Sequence, residues 1–459
     1  MIPHNFHPTI LREYDVRGIV GETVDVDDAR ALGKAFGTRV KRSGGTTVSV
    51  GYDGRLSSPA FSEALMKGII STGIDVKCVG LGGTPMLYYS VFELDMDGGV
   101  MVTGSHNPPN YNGFKMMLGK KPCFGKAIQG LGTLAQNGDF ETGDGNIEYI
   151  DIFDRYIERL LKDVDMQDFK VAWDPANGAA GPAVAALVNK LRGEHIVINA
   201  EVDGTFPNHH ADPTVEENLE QLKEVVRDHN CDIGLSFDGD GDRIGAIDAQ
   251  GRVVWGDQML AIMAGDLLQE VPGAPIIADV KASQAFFDRV EELGGEPIMW
   301  KTGHSLIKDK MVELAAPLAG EMSGHIFYKH KFYGHDDAIY AGIRFLNAIT
   351  KQGGDLVKLK DELPQAINTP ELRFDCDDTK KFAVIDDVKA WLVARGADVN
   401  TIDGVRVNTD DGWWLLRASN TQAVLVARCE AADEAGLKRL KSALSEALMA
   451  CGVSAPADL

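Results

Sequence analysis

Phe237–Arg243 (FDGDGDR) sets Asp238, Asp240 and Asp242 at alternate positions, with glycine between them. Glycine lets the backbone turn tightly, so three carboxylates can converge on one point. Like charges that close together need a cation, and hard oxygen donors select Mg2+ or a similar ion. The loop does not fit an EF-hand: its sixth position would be Arg243 rather than glycine, and its twelfth Ala249 rather than glutamate. Carboxylates with an open coordination face suit Mg2+ that assists phosphate chemistry. The bland alternative is a solvated acidic turn. The apolar strand before the loop and the strict alternation favour a metal.

Other segments could share such chemistry. Thr103–Pro109 (TGSHNPP) presents Ser105 at the end of an apolar run, where a serine nucleophile would need a base or a metal to activate it. The GxSxG elbow of hydrolases is missing, because Asn107 stands two residues after Ser105. Arg417–Thr421 (RASNT) joins an arginine to hydroxyl and amide donors that could clamp a phosphate dianion. Gly320–His325 (GEMSGH) offers Glu321, Ser323 and His325, a set suited to neighbouring sugar hydroxyls. Lys301–His304 (KTGH) adds His304 as a base that works near neutral pH. Neither a GxxxxGK[ST] phosphate loop nor GxGxxG occurs; GLGGTP at residues 80–85 fails at its last position. A kinase of that type and a dehydrogenase both lose support.

The elements that would hold these loops follow one grammar: a short apolar strand, a polar loop, a helix. Thr46–Val50 ends in GYDGR and precedes a helical pattern with Ser58 as its cap and Pro59 at its first position. Strands follow at Asp75–Val79 and Gly98–Val102. The grammar returns at Phe169–Trp173 (then DPANGAAG), Ile196–Asn199 and Cys231–Phe237, and again at Ala274–Asp279, PIMW and APLAG. Strands alternating with helices imply parallel sheets covered on both faces. Seams are expected at Gly130–Asn146, near Val254–Asp257 and at Pro364–Leu372. The last ninety or so residues change rhythm, with antiparallel strands around two turns and one amphipathic helix.

Composition narrows the partners. The 459 residues carry a net charge of −22, which opposes a general nucleic-acid binder and docking on anionic lipid. No run of about eighteen apolar residues is present, and the first residues lack a signal-peptide pattern. The six cysteines are scattered without a CxxC pair, which suits reduced thiols in the cytosol.

TGSHNP, DGDGDR, GEMSGH and RASNT occur in one order, and together they resemble the α-D-phosphohexomutase superfamily, in its bacterial phosphomannomutase/phosphoglucomutase branch. The resemblance runs from REYDVRG at Arg12–Gly18 to the RASNT loop. It implies an α/β fold of three related α/β domains with mixed, mainly parallel sheets, plus a smaller C-terminal α+β domain, around a central cleft. The expected domains are residues 1–150 with a phosphoserine loop, 151–255 with a metal loop, 256–367 with a sugar loop and 368–459 with a phosphate loop.

By the same resemblance Ser105 carries the phosphoryl group and is one of the metal ligands. Asp238, Asp240 and Asp242 hold Mg2+, and Arg243 lies beside the phosphoserine. Glu321, Ser323 and His325 bind sugar hydroxyls, and Arg417, Ser419, Asn420 and Thr421 grip the phosphate that is not reacting. Similar sequences also use Tyr14, Arg17, Asn107, Lys115, Lys281 and His304, with Lys115 or His304 as the base. Gln422 and Ala423 replace the acidic residue and proline that follow RASNT in many relatives. GEMSGH and DGDGDR lean away from phosphoglucosamine mutase. The implied activity interconverts hexose 1-phosphate and hexose 6-phosphate (mannose, glucose or both) through a 1,6-bisphosphate, in a cytoplasmic, monomeric enzyme without nucleic-acid or membrane partners. The alternatives are phosphoglucosamine mutase and a metal-dependent sugar phosphatase using the same serine. Arg17, Lys115, Arg243, Lys281, Lys301 and Arg417 would form a positive funnel in an acidic protein, and the C-terminal domain would rotate about Pro364–Leu372 to close on substrate.

Overall fold

The structure is a computed structural model that describes residues 2–377, 379–420, 423–453 and 459. Four sheets organise the chain. In the first the strand order is Val16–Ile19, Tyr111–Leu118, Gly98–Val102, Thr47–Tyr52, Asp75–Leu81, Ile147–Tyr149, with Lys121–Pro122 beside Tyr111–Leu118. In the second it is Val253–Val254, Ile244–Asp248, Ile233–Phe237, Phe169–Asp174, Gly193–Val197, and in the third Ile326–Tyr328, Leu318–Gly320, Pro275–Asp279, Glu296–Trp300.

One motif recurs in all three sheets. Three parallel strands lie side by side (four in the first sheet, counting Ile147–Tyr149), and the chain leaves one outermost strand and returns antiparallel along its free edge. The loop at that reversal holds TGSHNPP in the first sheet, DGDGDR in the second and EMSGH in the third. The three-fold repetition of an α/β unit is therefore real, and each sheet is mixed, with a parallel centre and an antiparallel edge. The fourth sheet is antiparallel: Ile367–Asn368, Val424–Ala431, Gly412–Ala418, Val405–Thr409, Asp398–Asn400, with Leu372–Asp375 also on Val424–Ala431. Helices Lys381–Val393 and Glu434–Ala450 cover one of its faces.

Core packing divides the chain differently from the sheets. One apolar cluster runs from helix Thr84–Glu93 of the first unit through Trp173 and Phe237 of the second to Leu260, Phe286 and Tyr340 of the third. The C-terminal unit has a core of its own. Its apolar contact with the third unit is small, built on Val280, Trp413 and Leu415.

Several local expectations shift for identifiable reasons. The helix after GYDGR starts at Ser58 itself (Ser58–Ile70), with Ser57 at the cap, because Ser58 Oγ is committed to Asp53 Oδ1 at 2.5 Å. Gly130–Asn146 is not a seam: its first half belongs to helix Lys126–Asn137, and Ile147–Tyr149 beyond it still pairs with the first sheet. The strand expected at Ile196–Asn199 is Gly193–Val197, and Asn199 turns out with φ +51°. In Pro364–Leu372, Ile367–Asn368 is already a strand of the C-terminal sheet, so the exit from the third unit narrows to residues 363–366.

Helices Val26–Arg42 and Ser58–Ile70 cross with reciprocal glycines at their contact. A Cβ on Gly33 would lie 2.2 Å from Leu65 O, and one on Gly68 2.2 Å from Arg30 O. Alanine in a helix normally gains about 0.5–1 kcal/mol over glycine. Here the sign reverses, because the helices must part. Gly68→Ala is expected to destabilise the first unit by about 1–3 kcal/mol, seen as a lower urea midpoint; an unchanged or raised midpoint would contradict the close crossing.

Candidate active site

Ser105 sits in the left-handed region (φ +51°) of the first reversal loop. Its N–H donates to Thr103 Oγ1 at 2.8 Å. The loop is gripped from below by Arg55, whose side chain has no solvent exposure. The guanidinium donates to the carbonyls of Ser105 (2.7 Å), Asn107 (2.6 Å), Pro108 (2.5 Å) and Tyr111 (3.0 Å). Asp53 anchors it in turn, accepting from Arg55 Nε (3.2 Å), Thr103 Oγ1 (2.7 Å) and Gly104 N (3.2 Å). Sequence reasoning saw GYDGR as a loop after a strand and gave it no role. The signal was available, since it ends a parallel strand of the sheet that carries Ser105.

The second reversal loop delivers the three acids. Phe237 pairs with Ile244, which closes Asp238–Arg243 into a hairpin loop. Asp238, Asp240 and Asp242 are wholly buried, and a ligand oxygen from each lies within 4.8 Å of the others. Ser105 Oγ donates to Asp238 Oδ2 at 3.1 Å. Gly239 permits this approach, because a Cβ there would lie 2.5 Å from Ser105 O. Lys115 faces Met101 across the antiparallel edge of the first sheet and reaches Asp240 Oδ2 at 2.7 Å and Asp242. Thr84 Oγ1 donates to Asp240 Oδ2 at 2.5 Å.

Burial, followed by the charges of Asp240 and Asp242, pushes the Asp238 carboxyl up. Burial and Asp240 raise Asp242 as well. Burial also opposes charge on Asp240, but the Lys115 ammonium and hydrogen bonds from Lys115 and Thr84 hold it below its ordinary value. One lysine cannot balance three buried carboxylates, and Asp240 Oδ1 and Asp242 Oδ1 have no hydrogen-bond partner. Orphaned oxygens beside a hydroxyl, all hard donors, fit a divalent cation.

The third reversal loop brings Glu321, Ser323 and His325. Glu321 Oε1 accepts from Gly303 N at 2.7 Å, and its Oε2 accepts from Ser323 Oγ at 2.8 Å. Arg243 Nε donates to His325 Nε2 at 3.0 Å, so the ring proton sits on Nδ1, 3.0 Å from Asp336 Oδ2. Asp336 Oδ1 accepts from Lys308 at 2.9 Å. Burial opposes the Asp336 charge, yet Lys308 and His325 hold its carboxyl well below the usual range. The His304 ring lies 5.4 Å from that of His325, and burial with the Lys308 charge keeps it neutral. Asp336 and Lys308 carried no recognisable sequence signal; only the fold brings them behind the two imidazoles.

The C-terminal unit closes the other side. Tyr14 OH donates to Thr302 O at 2.8 Å and accepts from Asn420 Nδ2 at 2.6 Å, joining the first, third and C-terminal units. Arg417 Nε donates to Asp403 Oδ2 at 3.0 Å, and Ser419 N donates to Val424 O at 3.0 Å. Thr421 and Gln422 lie outside the described residues. Arg17 donates to Asn107 Oδ1 at 2.5 Å and pairs with Asp15. Lys281 pairs with Glu371 at 3.1 Å. The expected positive funnel therefore needs correction. Lys115, Arg17, Lys281 and Arg417 each already face a carboxylate, and Lys301 is exposed. An anion entering here exchanges partners rather than meeting bare charge.

The expected residues thus form one connected surface, apart from Thr421 and Lys301, built by three loops of related units and a fourth from an unrelated one. Family comparison agrees with that architecture. The chain matches phosphoglucomutase/phosphomannomutase alpha/beta/alpha domain I over residues 8–140, domain II over 154–251, domain III over 255–367 and the C-terminal domain over 371–447. It is 44% identical over 450 residues to the phosphomannomutase/phosphoglucomutase of Pseudomonas putida, covering 98% of this chain and 97% of that one. It is 41% identical over 443 residues to a phosphoglucomutase of Neisseria meningitidis serogroup A, covering 95% and 96%. A crystal structure of a phosphoglucomutase/phosphomannomutase family protein from Burkholderia thailandensis superposes with a TM-score of 0.93 at 42% identity, over 98% of this chain and 99% of that one. The chain belongs to the phosphoglucomutase/phosphomannomutase family.

The acidic trio leads to a direct expectation. The protein is expected to bind one divalent ion, and Asp240→Asn is expected to weaken that binding by about tenfold or more, because each lost charge lowers the affinity of an oxygen site. Titration calorimetry with Mg2+ and Mn2+ checks this; undiminished affinity in Asp240→Asn would remove the trio as the metal site.

Proposed function

We propose that the protein is a phosphohexomutase that interconverts hexose 1-phosphates and hexose 6-phosphates of mannose, glucose or both, with Ser105 as the phosphoryl carrier. The observation that carries the proposal is the 3.1 Å contact between Ser105 Oγ and Asp238 Oδ2, inside a buried trio with two orphaned oxygens. Asp238, Asp240 and Asp242, with Ser105, hold Mg2+, which when bound neutralises charge on the phosphoryl group of Ser105.

The chain's own residues do the rest. Arg417, Ser419 and Asn420, with Thr421, grip the phosphate that is not reacting, and Lys281 exchanges Glu371 for the same group. Glu321, Ser323 and His325 hold the sugar hydroxyls, so the free hydroxyl faces Ser105. Lys115 is engaged by two carboxylates, and both ring nitrogens of His325 are committed, so the proton of that hydroxyl goes to His304. As the P–O bond to Ser105 breaks, a P–O bond to the sugar oxygen forms. Arg17, Lys115 and Arg243 offset the charge spread over the equatorial oxygens. The 1,6-bisphosphate then turns over in the cleft. The clamp takes the new phosphate, and the other phosphoryl group returns to Ser105 by the reverse steps.

Turning over requires the clamp to release and re-engage. The separate C-terminal core and the short exit at residues 363–366 support rotation of that unit. One chain supplies every residue named, which supports a monomer as the working unit. Six free thiols support a cytoplasmic location. No helix among the described residues is long and apolar enough to cross a membrane.

Freshly purified protein is expected to carry an extra phosphate that maps to Ser105 by intact-mass and peptide analysis. Ser105→Ala is expected to lower kcat by at least about 10³-fold while hexose phosphate still binds; wild-type turnover in that variant would refute the assignment. Release of inorganic phosphate in place of isomerised sugar would make the protein a phosphatase. Arg417→Ala is expected to raise KM more than it lowers phosphoserine formation, because it removes a contact to the phosphate that does not react. Equal losses in both would place Arg417 at the reacting group instead.

A further inference from the structure

Lys281 lies on the turn between strand Pro275–Asp279 and helix Gln284–Glu292 of the third unit. The carbonyls of that turn are held largely from the C-terminal unit. Arg406 Nη1 donates to Val280 O and Ala282 O, both at 2.8 Å, and Arg428 Nη1 donates to Lys281 O at 2.6 Å. Glu430 Oε1 accepts from Ser283 Oγ (2.9 Å), Gln284 N (3.0 Å) and Trp413 Nε1 (2.9 Å). The Arg406 guanidinium lies over the Trp413 ring at 3.7 Å, and Arg428 also touches Met322 in the sugar loop.

The register explains why these groups act together. Arg406 pairs with Leu415 and Leu415 with Arg428, while Trp413 pairs with Glu430. With a period of two, all five share one face of the C-terminal sheet, and Arg417 lies two residues beyond Leu415 on that same face. The opposite face, with Trp414 and Leu416, packs the C-terminal core. Arg406, Arg428 and Glu430 are at most 4% exposed. Buried guanidinium groups are a poor way to obtain stability alone, since apolar side chains of similar size would serve as well. What they supply is direction: fixed hydrogen bonds to the carbonyls on both sides of Lys281 and to the carbonyl of Lys281 itself.

We propose that Arg406, Arg428 and Glu430 are positioning residues that tie the Lys281 turn to the sheet bearing Arg417, so that both cations of the phosphate clamp travel as one body. The inference rests on the functional reading above. The turn then moves with the C-terminal unit, and the spacing between Lys281 and Arg417 is kept. Substrate affinity should then depend on Arg428 only through Lys281.

A double-mutant cycle tests this, with glucose 6-phosphate binding read by titration calorimetry on the full chain. Arg428→Met is expected to raise Kd about tenfold, the scale of one charge-assisted contact. In a Lys281→Met background the same substitution is expected to change Kd less than about twofold. The same factor in both backgrounds, or no effect in the wild-type background, overturns the proposal. Arg428→Lys keeps the stem and charge but loses the planar fork, and it gives the same cycle if Arg428→Met fails to fold. The phosphate content of Ser105, measured by intact mass, should be unchanged in Arg428→Met; its loss would mean a general structural role and would also overturn the proposal. A wild-type chain that binds no glucose 6-phosphate overturns the functional reading, and this proposal with it.

Discussion

Asp238, Asp240 and Asp242 carry like charges into a place where none of them reaches water, and much of the molecule is arranged to make that tolerable. Burying an unpaired carboxylate costs several kcal/mol. Part of the compensation arrives from outside the loop that bears the acids. Lys115 and Thr84 of the first unit reach across to them, while backbone N–H groups of Asp242 and Arg243 donate to Asp238. The first and second units are thus docked by a charge requirement as much as by apolar contact. The balance is incomplete, and the two oxygens left without partners fit a divalent ion.

The repeated strand order explains how distant loops meet. In each of the three units the chain leaves a parallel strand, reverses, and returns along its free edge. The reversal always falls at the carboxyl end of the parallel strands, the end where α/β sheets place their ligands. Three such ends meet, with Ser105 against Asp238 and Arg243 against His325. The loops differ in chemistry because the scaffold constrains only their position: a hydroxyl in one, carboxylates in another, a carboxylate with an imidazole in the third.

A second charged chain runs behind the third reversal loop, from Arg243 through His325 and Asp336 to Lys308. It joins the acidic loop to the third unit and fixes which ring nitrogen of His325 carries the proton. Together with the pairings of Arg17, Lys281 and Arg417, it shows why a strongly acidic protein can receive an anionic substrate. The cleft does not rely on surplus positive charge. Its cations already face internal carboxylates.

Much of the site was legible in the chain itself, because hard local rules govern it. Alternating glycine and aspartate after an apolar run marks a convergent loop wherever the fold places it, and Ser105 and Glu321 stand in loops that end strands for the same reason, whereas Arg417 lies within the end of its strand. Strand ends and helix identities also followed from pattern, with errors where a side chain had another commitment, as Ser58 has to Asp53, or where a glycine-containing stretch was helix rather than linker. Tertiary structure alone decided the rest. Arg55, Asp53, Asp336, Lys308, Arg406 and Arg428 are ordinary charged residues in their local sequence. Their importance comes from partners that are 28 to 147 positions away in the most separated contacts named here, and no local pattern encodes which buried carbonyl or imidazole will need a donor once the units have closed on one another.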